Sequence, residues 1–289
     1  MTTTPSSRFG ELPTFELPSC LQFLKLKSFP LKVYPAVNEP ELLKKDTLFV
    51  YGPGKSTWFD VDCLQIQTYL NFCGIDYDAY SINQPEASPS GELPFLQTVV
   101  GKVFDAQEII HWVIETRNIQ RELSNELDKQ QAKAFVTLVE QKLKPALLFS
   151  MWLEPPNANE ITFKSYYGHL PQPINQIVFY KKQSQVTKSL LADRDILVRE
   201  EIYQEAMKAL EALSVKLGDN TYFFNSSEPT WIDAVVFSHL HCALATSIKE
   251  HGQYEKEEIK QAKTLSNMIR KHDNLLNYVK SMNEKWLKK

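Results

Sequence analysis

Leu48-Phe49-Val50-Tyr51-Gly52-Pro53 opens the decisive stretch, followed by a helical run from Trp58 to Phe72, by Tyr77 to Tyr80, by Gly91-Glu92-Leu93-Pro94-Phe95-Leu96, and by Phe104 to Val113. Apolar β-type runs alternate here with helical patterns, which predicts an α/β unit with a mixed sheet. Pro94 has no N–H to give a sheet ladder, so it belongs at a strand's first residue or at an edge. Phe59, Cys63, Ile66, Tyr69 and Leu70 recur at helical spacing and mark a core face, and Gly74 suits the position just past that helix. The loop Gly52-Pro53-Gly54-Lys55-Ser56-Thr57 lacks the GxxxxGK[ST] spacing of a phosphate-binding loop. A loop feeding a helix N-terminus can hold an anion, but Ser56 or Thr57 reads better as an N-cap than as a nucleophile. Ser81 to Gly91 reads as a surface loop, Gly101-Lys102 as a turn, and Phe104 to Glu108 as a helix start with Ile109, Ile110, Trp112 and Val113 facing inward.

Beyond Asn118 the pattern turns helical. Leu123 to Leu143 is amphipathic, with Leu127, Phe135, Leu138 and Val139 set among Glu and Lys. Pro145 should kink or restart that helix, and two breaks are expected, at Pro155–Asn159 and at Tyr166–Pro173. Ile177–Leu191 and Asp195–Leu217 read as helices, the second stopped by Gly218. Thr230-Trp231-Ile232-Asp233 precedes the apolar run Ala234–Leu244: a threonine with an acid three residues on is a capping box, a folding device worth about 1 kcal/mol. Leu265–Leu287 is the last helical region.

The chain's 289 residues suit two modest domains or one large one. With a formal net charge of −3, the chain as a whole does not attract nucleic acid or anionic lipid, so any such contact must be local. Cys20, Cys63, Cys73 and Cys242 form no CxxC and show no metal spacing, which predicts free thiols in a reducing compartment. His239 and His241, two apart on a helix, point away from each other, and no metal site is expected. No secretory signal is visible, and no run reaches the roughly 20 apolar residues of a membrane span.

Leu17 to Asn38 carries no acidic residue, while Lys25, Lys27 and Lys32 interleave with Phe29, Tyr34 and other apolar side chains. It reads either as an extension packed on its own domain or as a basic, apolar segment that contacts a membrane surface or membrane partner. Residues 1–45 are therefore an N-terminal extension, 46–118 the α/β domain and 119–289 an all-helical domain.

The order of strands and helices around Pro94 resembles the thioredoxin-like N-terminal domain of glutathione transferases, in which that proline is cis beside the ligand site. Thr230–Asp233 before a buried helix resembles their helical second domain. The resemblance implies an α+β domain followed by an all-helical one. Across about Asp46–Leu287 the chain is also similar to the metaxin family. The matching stretches are Ser88–Phe95, then Pro173-Ile174-Asn175-Gln176-Ile177-Val178-Phe179-Tyr180-Lys181-Lys182-Gln183, then Tyr222–Leu240. The second stretch is the more specific, to metaxins of the second type and their fungal counterparts in the mitochondrial sorting and assembly machinery. This resemblance implies a peripheral protein on the cytosolic face of the outer membrane, without a membrane tail. Its partners would be a β-barrel membrane subunit, a second metaxin-like subunit and β-barrel precursors. It implies no catalytic residue and no cofactor, with Pro94, Thr230 and Asp233 structural and Lys25, Lys27, Phe29, Lys32 and Tyr34 as contact candidates. The competing expectation is an active glutathione transferase. Tyr51, Ser56 and Thr57 are available as thiol-activating hydroxyls, but Asp105 is followed by Ala106, where such enzymes carry a serine that holds the γ-glutamyl end.

Overall fold

A computed structural model describes residues 43–52, 59–117, 121, 123–192, 194–248 and 254–287. Strand β1 (Thr47–Val50) pairs in parallel with β2 (Asp78–Ser81), with Leu48 opposite Ala79. The intervening helix α1 (Val61–Phe72) is the crossover that a parallel pair requires. β3 (Phe95–Gln97) runs antiparallel to β1, and β4 (Val103–Asp105) antiparallel to β3, giving the order β2-β1-β3-β4. Leu48, Val50 and Leu96, in the two inner strands, are wholly buried. Gly101 turns the β3–β4 hairpin at φ +82°, a conformation open to glycine at no steric cost. Pro94 directly precedes β3, and the Leu93–Pro94 peptide is cis. β4 leads directly into α2 (Ala106–Arg117).

α1 starts three residues later than the sequence pattern predicts, and its N-cap is Asp60 rather than Ser56 or Thr57. Asp60 is extended (φ −106°, ψ 120°), and its Oδ1 accepts from the Cys63 N–H at 2.9 Å. Aspartate caps as well as serine does, and with Asp62 it places negative charge where the helix dipole favours it. Gly74 ends the helix at φ +65°.

The helical part begins with α3 (Glu126–Leu138), which runs through a π-helical turn (Val139–Leu143) into α4 (Lys144–Trp152). Pro145 sits in the first turn of α4, where a missing N–H costs little, so the α-helix restarts there after the π turn, as expected. The stripe expected across Leu123–Leu143 is buried only in part. Leu127 stands exposed, and full burial begins at Val139 and Leu143. The Pro155–Asn159 segment is helical rather than a break. One turn, α5 (Pro155–Asn157), passes through a π turn (Ala158–Thr162) into α6 (Phe163–Tyr167). Asn157 locks it, donating to Ser150 O at 3.1 Å and Ala262 O at 2.9 Å and accepting from Ile248 N at 3.1 Å.

After α7 (Ile174–Leu190) and α8 (Arg199–Leu217) comes α9 (Trp231–Ala245). Every side chain from Ile232 to Leu240 is buried, Asp233, Ser238 and His239 included, so this mostly apolar helix is an interior one. α9 packs against α1, α3 and α4, and against α11 (Thr264–Ile269) and α12 (Asp273–Met282), which follow α10 (Lys256–Ala262). A final π turn, Asn283–Leu287, returns to α1. Asn71 Nδ2 donates to Trp286 O at 2.9 Å, and the Phe72 and Trp286 rings meet edge to face at 5.1 Å. The sheet and the helices thus share one core, inside the compact unit Leu42–Lys289. Among the described residues no helix is long and apolar enough to cross a membrane.

Candidate functional site

The ligand end of a thioredoxin-like domain lies where β1 runs out, α1 begins and the cis-proline faces both. The register puts Pro94 beside Val50, because Phe95 pairs with Phe49. Three groups meet at this corner: Tyr51 from the end of β1, Phe59 and Asp60 from the start of α1, and Trp152 and Tyr166 from the helical part.

Asp60 is the hub. Its Oδ1 caps α1, and its Oδ2 accepts from the Tyr166 hydroxyl at 2.7 Å. The Tyr166 ring stands edge to face with Tyr51 at 5.0 Å and with Phe59 at 4.8 Å, and tilted against Trp152 at 5.4 Å. Trp152 stacks on Phe179 of α7 at 5.7 Å, extending the aromatic cluster outward. Burial pushes the Asp60 carboxyl up, with the Asp62 charge adding to it, while the Cys63 N–H and the Tyr166 hydroxyl pull it back. Burial and the Asp60 charge push the hydroxyls of Tyr51 and Tyr166 well up, and the Cys63 thiol likewise. Beside them Lys144 bonds Asp62 at 3.1 Å and Glu140 at 3.2 Å. Burial works against its ammonium, but the two carboxylates outweigh that and raise it.

The described residues leave a cavity of about 50 Å³ at this corner, lined by Phe59, Asp60, Asp62, Lys144, Met151 and Tyr166 among others. That is space for a water or two, against the roughly 300–1,000 Å³ of a small-molecule site. Among the described residues, the hydroxyls at this corner are poorly set to activate a thiol. A phenol with a raised pKa is a weaker donor to a thiolate, and the Asp60 charge opposes a second anion beside it. The other half of such a site is also committed: Asp105 Oδ1 accepts from the N–H groups of Gln107 and Glu108 at 3.0 and 2.9 Å, capping α2.

Of the residues singled out from sequence, Pro94 lies at this corner and Thr230 and Asp233 lie elsewhere, at the start of α9. There Asp233 Oδ2 accepts from Thr230 N at 2.9 Å and Thr230 Oγ1 at 3.2 Å, while its Oδ1 accepts from Phe223 N at 3.0 Å and Tyr278 Oη at 3.1 Å. Lys25, Lys27, Phe29, Lys32, Tyr34, Ser56 and Thr57 fall outside the described residues. His239 Nδ1 faces Val235 O at 2.8 Å on its own helix, and among the described residues no group of three His, Cys, Asp or Glu is placed to hold a metal. Sequence reasoning missed the Asp60–Tyr166 pair and a second buried carboxylate, Glu154, which accepts from Arg199 Nε at 2.8 Å and Tyr203 Oη at 3.0 Å. The available signal for Asp60 was its place three residues before Cys63, ahead of the first buried turn.

Comparison with known proteins fits this geometry. The family model described as outer mitochondrial membrane transport complex protein matches residues 63–183, and that of the glutathione S-transferase C-terminal domain matches 206–282. Human Metaxin-2 is 30% identical over 210 residues, covering 71% of this chain and 77% of its own length. Mouse Metaxin-1 is 33% identical over 198 residues, covering 65% of this chain, which spans 62% of that relative's length. A glutathione transferase of Phanerochaete chrysosporium shares the fold, with a TM-score of 0.51 at 16% identity over 81% of this chain and 98% of that one. The fold is that of a glutathione transferase, and the chain belongs to the metaxin family.

Proposed function

We propose that this chain is a non-catalytic receptor or chaperone subunit of the outer mitochondrial membrane sorting and assembly machinery. It lies on the cytosolic face, holds a β-barrel membrane subunit beside a second metaxin-like subunit, and aids the insertion of β-barrel precursors. The observation that carries the reading is the family match over residues 63–183 to an outer mitochondrial membrane transport complex protein. Its mechanism is binding energy without chemistry: the chain stabilises the precursor-receiving state of the barrel subunit. The aromatic corner supports the absence of catalysis, because Tyr166 and Asp60 occupy the place where a thiol substrate would need room and a donor. The acid-free stretch Leu17–Asn38, with Lys25, Lys27 and Lys32, supplies part of the contact to the membrane partner.

A pull-down of the tagged chain from detergent-solubilised mitochondria tests the reading. Co-elution of a β-barrel membrane subunit, weakened by charge reversal at Lys25, Lys27 and Lys32, is the expected result. Recovery of no membrane subunit, together with turnover of a glutathione-conjugation substrate, would replace the receptor by an enzyme.

A further inference from the structure

From Ile161 to Ala192 the chain has no Asp or Glu but carries Lys164, Lys181, Lys182 and Lys188. α7 forms the centre of this stretch. Its inner side is fixed by Phe179, Val186 and Leu190, which are buried, and by Gln183 Nε2 donating to Trp152 O at 2.6 Å. Its outer side is unusual for a surface helix. Ile174 is 51% exposed, Ile177 64% and Tyr180 63%, all within two turns. Ile174, Ile177, Lys181 and Lys188 follow one another at three-, four- and seven-residue spacing, so they lie along one stripe, with Tyr180 next to Ile177. Lys164 is paired with Glu160 at 2.6 Å. Lys181, Lys182 and Lys188 are exposed, and no described residue pairs with them.

We propose that this outward face of α7 docks on an anionic phospholipid surface. The proposal rests on the membrane-peripheral part of the reading above. In a chain of net charge −3, an acid-free helix carrying exposed lysines gives a negative surface a local face to approach. The apolar members fit the same occupant. Two isoleucines and a tyrosine at the end of the stripe can enter the headgroup boundary, while flexible lysine stems let the ammonium groups stay with the phosphates. A protein partner fits less well, since protein interfaces favour Arg over Lys and deplete charge at their centres, and α7 holds three lysines and no arginine.

Flotation of the full chain with vesicles of phosphatidylcholine, with and without phosphatidylserine, tests this. Three variants accompany it: K181Q/K182Q/K188Q, I174S/I177S/Y180S and the N-terminal K25E/K27E/K32E. All the α7 positions changed are exposed, so circular dichroism should be unaltered. The wild-type chain should float with the anionic vesicles alone, and less so as salt rises. The α7 lysine variant should lose roughly a hundredfold in apparent affinity at low salt, and the α7 apolar variant should also bind more weakly. Equal flotation of the wild-type chain and the α7 lysine variant, loss confined to the N-terminal variant, or no flotation of the wild-type chain would each overturn the proposal. The vesicles contain no protein, so a chain that floats yet recovers no membrane subunit from mitochondria keeps this inference and loses the receptor reading.

Discussion

Helices α1 and α9 pack against each other, and each begins on a carboxylate reached by a tyrosine from far along the chain. At α9 the pair is Asp233 with Tyr278, 3.1 Å apart; at α1 it is Asp60 with Tyr166, 2.7 Å apart. The surroundings differ. Asp233 is sealed, with 0% exposure and four donors around it, and nothing there leaves room for a ligand. Asp60 is half-buried at the mouth of a small cavity, on the corner where a glutathione transferase fold would hold its substrate. A related device is used twice: an acid at a helix start, N-cap at α1 and third helical residue at α9, anchored by a distant phenol. At α9 it does only what the fold needs. At α1 the same device ties the start of the helix to the helical part of the chain, beside a small cavity.

The largest way to break the comparison is at the sealed end. Asp233→Ala strands four donors in the interior and removes a helix cap, and should cost about 3–5 kcal/mol of stability by urea denaturation. A loss below about 1 kcal/mol would mean that the sealed pair is no more than an exposed cap.

The next effect is a pH dependence with a definite sign. Burial pushes the Asp233 carboxyl up to about 6, against its donors, while in the unfolded chain it titrates near 3.9. The native state then binds the proton more tightly. Its contribution is fully present below about pH 4 and is lost as pH rises through 6, by up to about 3 kcal/mol. The stability difference between the wild-type chain and Asp233→Asn, measured by urea midpoints from pH 4 to 7, should therefore shrink as pH rises. Growth of that difference would show that the four donors outweigh burial and hold the ionised form.

Much of this was open to sequence reading. The alternation of β-type and helical runs around Pro94 carries the strand order, because a crossover helix and a glycine hairpin leave local marks. The Thr230–Asp233 spacing is local in the same way. The Asp60–Tyr166 bond is not: its partners are 106 residues apart, and Tyr166 lies in a segment whose prolines and glycine read as a break. The π turns at Val139–Leu143 and Ala158–Thr162 hid the continuity of the helices on either side: Pro145 follows the first within a first helical turn, and Pro155 and Pro156 open the turn before the second. The outward face of α7 was hidden for the opposite reason. Ile174 and Ile177 sit at core spacing, and only the packing of α4 and α6 on the other side leaves them exposed.

A smaller effect sharpens the half-open end. Tyr166→Phe keeps the ring in its aromatic cluster but removes one donor from Asp60, which retains the Cys63 N–H. The expected loss is about 1–2 kcal/mol, more than for a neutral bond because the acceptor is charged. In a double-mutant cycle, Asp60→Ala and Tyr166→Phe should couple by a comparable amount. Zero coupling would dissolve the pair. The same Tyr166→Phe chain should gain no glutathione binding by calorimetry, because the ring, rather than the hydroxyl, fills the corner.

The smallest effect separates capping from anchoring. Asp105 caps α2 through the N–H groups of Gln107 and Glu108, and Glu108 returns a bond to the Asp105 N–H at 3.1 Å. It thus has the capping half of the device. These bonds all fall within three residues, and they are exposed to water, which can replace what is lost. Asp105→Ala should cost about 0.5–1 kcal/mol, the lower part of the range for caps. The three acids then form a series at helix starts, Asp105 and Asp60 as N-caps and Asp233 as the third-residue acid of a capping box, in which the anchor and burial grow from Asp105 through Asp60 to Asp233. If Asp105→Ala proved as costly as Asp60→Ala, the Tyr166 anchor would add nothing, and the filled corner would owe its stability to the aromatic rings alone.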